Sequence, residues 1–238
     1  MRSMNREYHR WFSPRLGRDM DLLIFGHAGT PYLVFPSSMG TFHEYEDQGM
    51  IAALGNKLEH GELQLFCVST VDLESWYNRH AHPRQRVERA LQYEGYLFDE
   101  VVPLVRQRNG HPGLGATGCS FGAYHALLAA LRRPQDIRQC VTMGGAFDTK
   151  RFLDGYYDDD CYFLNPVDFL PGVDGWLLDA YRQNKWVIVT GDRDICLDDS
   201  RRMAGMLGGK GVPAHLHVWN NSEHDWPAWR EMAKAYLP

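Results

Sequence analysis

The sequence predicts an α/β protein built on a mostly parallel sheet with helices on both faces. Three observations carry this expectation. Short apolar runs of strand length recur along the 238 residues, helix-length amphipathic segments separate them, and one apolar run ends in a tight glycine-flanked turn that opens a helix. In such sheets ligands bind at the carboxyl ends of the strands.

The elements follow in order. Tyr8–Ser13 and Asp19–Phe25 read as two antiparallel strands at one edge, and Tyr32–Phe35 as a short, all-apolar buried strand. A helix is expected over Tyr45–Leu58, then a strand over Leu63–Val68. His82–Arg108 reads as a long helical segment starting at Pro83, with Val87, Leu91, Phe98, Val101 and Val105 near helical spacing. Gly95 interrupts its apolar face and Pro103 removes a helical hydrogen bond, so a kink or a break is expected. Gly115–Cys119 is a strand, Gly122–Arg132 a helix and Gln139–Met143 a strand. Phe152–Gln183, with Pro166, Pro171 and the acidic triplet Asp158-Asp-Asp160, reads as an irregular excursion over the sheet. Trp186–Thr190 is a strand, Ser200–Leu207 a helix, His215–Trp219 a strand and Pro227–Tyr236 a closing helix. No repeat or linker divides these elements, so a single domain over residues 1–238 without a separate lid domain is expected.

Composition narrows the function classes. The net charge of −5 and the lack of a basic stripe argue against nucleic acid or an anionic membrane as partner. No stretch approaches a membrane-spanning length, and the polar first ten residues lack the apolar core of a signal peptide. The five cysteines (67, 119, 140, 161, 196) form an odd set without a CxxC pair, as free thiols of a reducing cytoplasm would. A cytoplasmic protein is therefore expected. Cys67 and Cys140 lie in strand-like runs and read as packing residues.

Gly118-Cys119-Ser120-Phe121-Gly122 matches G-x-S-x-G between a strand and a helix. A turn this tight strains the serine backbone and lifts its hydroxyl above the sheet, and the flanking glycines let neighbouring backbone approach. The amide of Phe121, at the helix start, can donate to a developing oxyanion. The bland alternative is a helix start capped by Ser120. Cys119 should point back into the fold.

A serine hydroxyl needs a base, and in the α/β-hydrolase fold an acid and then a histidine follow the serine in the chain. The strand Trp186–Thr190 runs into Gly191-Asp-Arg-Asp194, where Asp194 is the expected acid and Asp192 its competitor. Asp198 and Asp199 read as helix-start carboxylates. Only His215, His217 and His224 follow. The first two lie within a strand, whereas His224 lies in the polar loop between the last strand and the last helix, where a base belongs. The second oxyanion donor should come from Phe35-Pro-Ser-Ser-Met-Gly40, with Ser38 expected and Ser37 or Met39 as alternatives.

With these residues assigned, the chain resembles the esterase family that includes esterase D, feruloyl esterases and mycobacterial mycolyltransferases. The resemblance spans most of the chain. It rests on Val34-Phe-Pro-Ser-Ser-Met-Gly-Thr-Phe-His-Glu-Tyr-Glu-Asp47, on Ser75-Trp-Tyr77, on the Gly118–Gly122 turn, and on Ser222-Glu-His-Asp-Trp226 with Trp229. It implies the triad Ser120, Asp194 and His224, the oxyanion loop Ser37–Met39, and action on carboxylic esters or thioesters, or acyl transfer, without a cofactor. It is also compatible with a homodimer.

Ser75–His82 should overhang the site, with Trp76 and Tyr77 as walls of a substrate pocket and Trp226 as a further wall; loop packing is the alternative for Trp76 and Tyr77. Phe42 and Tyr124 are weaker wall candidates, and His43 and Glu44 read as a helix start. Arg79, His80 and His82 lack the further ligands of a metal site, so no metal is expected. Asp158-Asp-Asp160 lacks the spaced loop of a calcium site and reads as a solvated turn. The expected function is a serine esterase acting on a small-molecule ester. Its competitors are an acyltransferase with the same triad and a non-catalytic binding module on the same fold.

Overall fold

The computed structural model describes residues 4–238. Its eight strands are β1 (Arg6–Ser13), β2 (Arg18–Phe25), β3 (Thr30–Phe35), β4 (Leu63–Val68), β5 (Leu114–Cys119), β6 (Ile137–Met143), β7 (Lys185–Gly191) and β8 (Ala214–Trp219). They form one sheet in the order β1-β2-β4-β3-β5-β6-β7-β8. The β1–β2 and β2–β4 pairs are antiparallel and all others parallel, so the sheet is the mostly parallel one of the α/β-hydrolase fold.

Side chains alternate across a strand, and the central strands are apolar on both sides because both faces are covered. Leu33 and Phe35 of β3 join the core on one face, with the helix Phe121–Arg132. Tyr32 and Val34 join the other, with Trp229, Met232 and Ala233 of the helix Trp226–Tyr236. Among the described residues no helix is long and apolar enough to cross a membrane.

Two segments differ from the sequence reading, and in a third the expected break is present. The helix expected over 45–58 is three short ones, Glu44–Asp47, Met50–Ala53 and Gly55–Glu59. Gly49, at φ 71, breaks the first from the second. The long segment 82–108 bends at a π-helical turn, Leu97–Val101, just before Pro103, whose missing N–H interrupts the ladder. The stretch 152–183 is not irregular. It carries helices at Asp159–Phe163, Pro166–Phe169 and Gly175–Gln183. Its acidic triplet is ordered by a cation already in the chain: Arg84 pairs with Asp158 and Asp160, and Asp158 caps the first of these helices through the Cys161 amide.

All five cysteines are free and buried. Desolvation raises the Cys119 thiol far above its ordinary value, so it stays protonated beside the Tyr45 hydroxyl at 3.4 Å.

Candidate active site

Four parallel strands deliver the expected residues at their carboxyl ends, on one side of the sheet. β5 ends at Cys119 and Ser120 follows at φ 55, ψ −119, a backbone strain rare outside glycine. The two glycines around it are sterically required. A Cβ on Gly122 would collide with the carbonyl oxygens of Phe35 and Pro36, and one on Gly118 with the carbonyl of Gly122. The same close approach therefore sets the serine turn against the loop leaving β3.

β7 delivers Asp194 and β8 delivers His224. His224 Nδ1 lies 2.7 Å from Asp194 Oδ1, and His224 Nε2 lies 3.0 Å from Ser120 Oγ. A buried carboxylate accepts, so Nδ1 carries the proton and Nε2 is left as acceptor for the serine hydroxyl. The Asp194 side chain is fully buried and its Oδ1 also accepts from the Cys196 amide at 2.7 Å. Cys196 lies close to this pair, but burial holds its thiol up at about 12, so it is a neutral neighbour. The ring of Trp229 meets the imidazole edge to face at 4.8 Å.

Asp192 does something else. It is exposed, and its Oδ1 accepts the Ser222 amide, while its own amide donates to the carbonyl of Trp219. With the Arg193 amide on the Ser222 carbonyl, these bonds lace the acid loop to the base loop. The amides of Asn221 and Ser222 hold the Asp192 carboxyl below its ordinary value.

The loop after β3 is held at three consecutive residues. The Ser37 amide and hydroxyl donate to the two oxygens of Glu44, at 2.6 and 2.7 Å. The Ser38 hydroxyl accepts from Tyr77 at 2.7 Å. The Met39 amide donates to Asp72 Oδ2 at 3.2 Å. Ser37 and Met39 thus have committed amides, and among the described residues the Ser38 amide has no acceptor. The part that Glu44 and Asp72 play in holding this loop is missing from the sequence reading. Glu44 looked like a helix start, which it also is, and nothing in the local pattern marks Asp72.

An open cleft of about 510 Å³ is lined by Ser38, Ser120 and His224, together with Gln48, Trp226 and Arg230. Trp226 therefore shares the cleft with the serine. Trp76 does not: it is 1% exposed and packs against Tyr124 and Phe152 in the core. The expectation that Trp76 walls the pocket is corrected, because its loop folds the indole inward rather than over the site. Tyr77 is half-buried and reaches the site through Ser38. Tyr124 is likewise buried, with its hydroxyl on the carbonyl of Leu164.

A model of the family described as "Putative esterase" matches residues 13–235. The chain belongs to that esterase family. It is an enzyme of the carboxylic ester hydrolase class. No curated protein matches the esterase in sequence. Among solved structures it is similar to a ferulic acid esterase, at 15% identity and TM-score 0.79 over 99% of this chain and 97% of that one. An S-formylglutathione hydrolase from Agrobacterium tumefaciens aligns at 15% identity and TM-score 0.74 over 99% and 96%. MPT51 (FbpC1) of Mycobacterium tuberculosis aligns at 14% identity and TM-score 0.71 over 96% of each chain. At these identities the likeness is one of fold.

Proposed function

We propose that this esterase is a single-domain serine hydrolase that cleaves small and medium carboxylic esters, thioesters included, through an acyl-enzyme on Ser120. The observation that carries the proposal is the unbroken hydrogen-bonded row from Ser120 Oγ through both ring nitrogens of His224 to Asp194. In the first half, Ser120 Oγ attacks the ester carbonyl carbon while its proton passes to His224 Nε2. The carbonyl π pair becomes an oxyanion facing the amides of Ser38 and Phe121. Loss of one such donor costs on the order of 3 kcal/mol of transition-state stabilisation.

Collapse of this intermediate breaks the bond to the alcohol or thiol, which takes the proton from His224 Nε2. In the second half, water gives its proton to His224, attacks the acyl carbon and releases the acid, and Ser120 recovers its proton. Asp194 keeps Nδ1 protonated throughout and stabilises the imidazolium. The cleft is open to small substrates and Trp226 offers an apolar wall beside the serine.

The test is labelling with a fluorophosphonate probe and turnover of p-nitrophenyl acetate, with Ser120→Ala alongside. Stoichiometric labelling and turnover, both lost in Ser120→Ala, are expected. Failure of the parent protein to label overturns the proposal.

A further inference from the structure

A second histidine–carboxylate pair lies outside the reacting groups. His125 Nε2 donates to Asp72 Oδ1 at 2.9 Å, and the two residues are 7% and 1% exposed. Burying such a pair is costly unless its hydrogen bonds are filled; here Asp72 bonds to the loop after β3, while His125 stands on the helix that starts at Phe121.

Asp72 lies in the turn after β4. Its second oxygen, Oδ2, accepts the Met39 amide, and its main-chain carbonyl accepts the amide of Tyr77 at 2.9 Å. Tyr77 in turn donates its hydroxyl to Ser38 Oγ. One residue thus holds Met39 directly and Ser38 through Tyr77. Met39 needs the support, because at φ 59 it sits in the left-handed region that a methionine rarely adopts.

His125 lies on the helix that Ser120 opens, five residues beyond the serine. It sits in a box of four rings, Phe35, Tyr93, Phe121 and Tyr124, with centroids 5.0 to 5.9 Å away. Two of these belong to the site's framework: Phe35 leads into the oxyanion loop, and Phe121 carries the other oxyanion amide.

We infer that Asp72 and His125 are positioning residues, tying the Ser37–Met39 loop to the nucleophile helix so that the amides of Ser38 and Phe121 keep a fixed spacing. The inference rests on the acyl-enzyme reading above. A displaced donor weakens only what is charged in the transition state, so its loss appears in kcat and not in ground-state binding.

The experiment compares the full chain with Asp72→Asn, which keeps the shape but can no longer accept from both partners, and with His125→Gln. Measured are kcat and KM for p-nitrophenyl acetate, affinity for an aryl trifluoromethyl ketone, whose serine adduct carries an oxyanion, and the end point of fluorophosphonate labelling. Both variants should label to completion but lose kcat by about tenfold or more, with KM within about threefold and ketone affinity falling in parallel with kcat. The inference is overturned if a variant that labels fully keeps kcat within about twofold, loses only KM, or loses kcat while binding the ketone as tightly as the parent. It is equally overturned if Asp72→Asn unfolds the chain and His125→Gln labels and turns over normally. A parent protein that does not label at all sinks the serine-hydrolase reading instead, so the two failures are distinct.

Discussion

Gly144 and Asp194 pack so closely that a Cβ on the glycine would lie 2.5 Å from the carboxylate Oδ2. The same atom would lie 3.0 Å from Trp229 Nε1 and 3.1 Å from His224 Nδ1. Gly144 follows β6 at φ 56, and its amide is tied to the Val189 carbonyl of β7, so it has no room to retreat. The absent side chain is what lets acid, base and indole converge. Gly144→Ala is therefore expected to push Asp194 off the imidazole and lower kcat by about two orders of magnitude, as small misplacements in a site do. The left-handed backbone adds a stability cost of about 1–3 kcal/mol. Steady-state kinetics together with thermal melting check both; a variant with parental kcat refutes the steric account.

The two aspartates of the acid loop should separate cleanly by substitution. Asp194→Asn leaves the buried site without a charged acceptor and allows the wrong imidazole tautomer. A kcat loss of about four orders of magnitude is expected, as in serine hydrolases generally. Asp192→Asn keeps an oxygen for the Ser222 amide on an exposed loop, so a change of under about 0.5 kcal/mol, roughly twofold in kcat, is expected. The reverse ranking in p-nitrophenyl ester turnover would move the acid to Asp192.

Much of this site was legible because the fold delivers it by strand ends. Ser120 and Asp194 lie just past apolar strands and His224 in the loop after β8, and parallel pairing of β5, β6, β7 and β8 brings those ends together. What escaped the sequence depends on contacts between distant segments. Asp72 and His125 are 53 residues apart, and neither carries a local signal of its partner. Trp76 escaped for the opposite reason: its neighbours in sequence suggest an overhanging loop, while its burial is set by Tyr124 and Phe152. Pro166 and Pro171 make the 152–183 stretch read as irregular, yet each stands in the first turn of a short helix, where the missing N–H costs nothing. The helix Gly175–Gln183 was hidden by its glycine start and by Trp176, which is exposed on its first turn.

Glu44 supplies a pH test of the oxyanion loop. Burial raises its carboxyl above the ordinary 4.5, outweighing the two Ser37 hydrogen bonds that lower it. On raising the pH the unfolded chain loses this proton first, so the folded state is penalised. The stability contributed by Glu44 is complete below 4.5 and is lost as the pH climbs through the raised, folded value. Glu44→Gln has no such proton. The melting temperature of the parent minus that of Glu44→Gln should therefore fall from acid pH towards neutrality and then level off. A difference that stays flat or rises across this range would contradict the burial assigned to Glu44.

The two tryptophans expected at the pocket should behave as different kinds of residue. Trp76 is enclosed by Tyr124 and Phe152, so Trp76→Ala opens a core cavity and should cost about 3–5 kcal/mol of stability. Because its ring does not border the cleft, the molecules that remain folded should turn over short esters with parental KM. Trp226 packs on Tyr45 and Trp229, stays half-buried and lines the cleft. Trp226→Ala should cost less stability but remove an apolar wall beside Ser120. That contact is worth on the order of 1 kcal/mol, roughly fivefold in kcat/KM, and more for p-nitrophenyl butyrate than for the acetate because the longer acyl chain has more apolar surface to cover. Kinetics on both esters, normalised to the fluorophosphonate-reactive fraction, decide it. An acyl-length effect in Trp76→Ala, or none in Trp226→Ala, would reverse the assignment of core and wall.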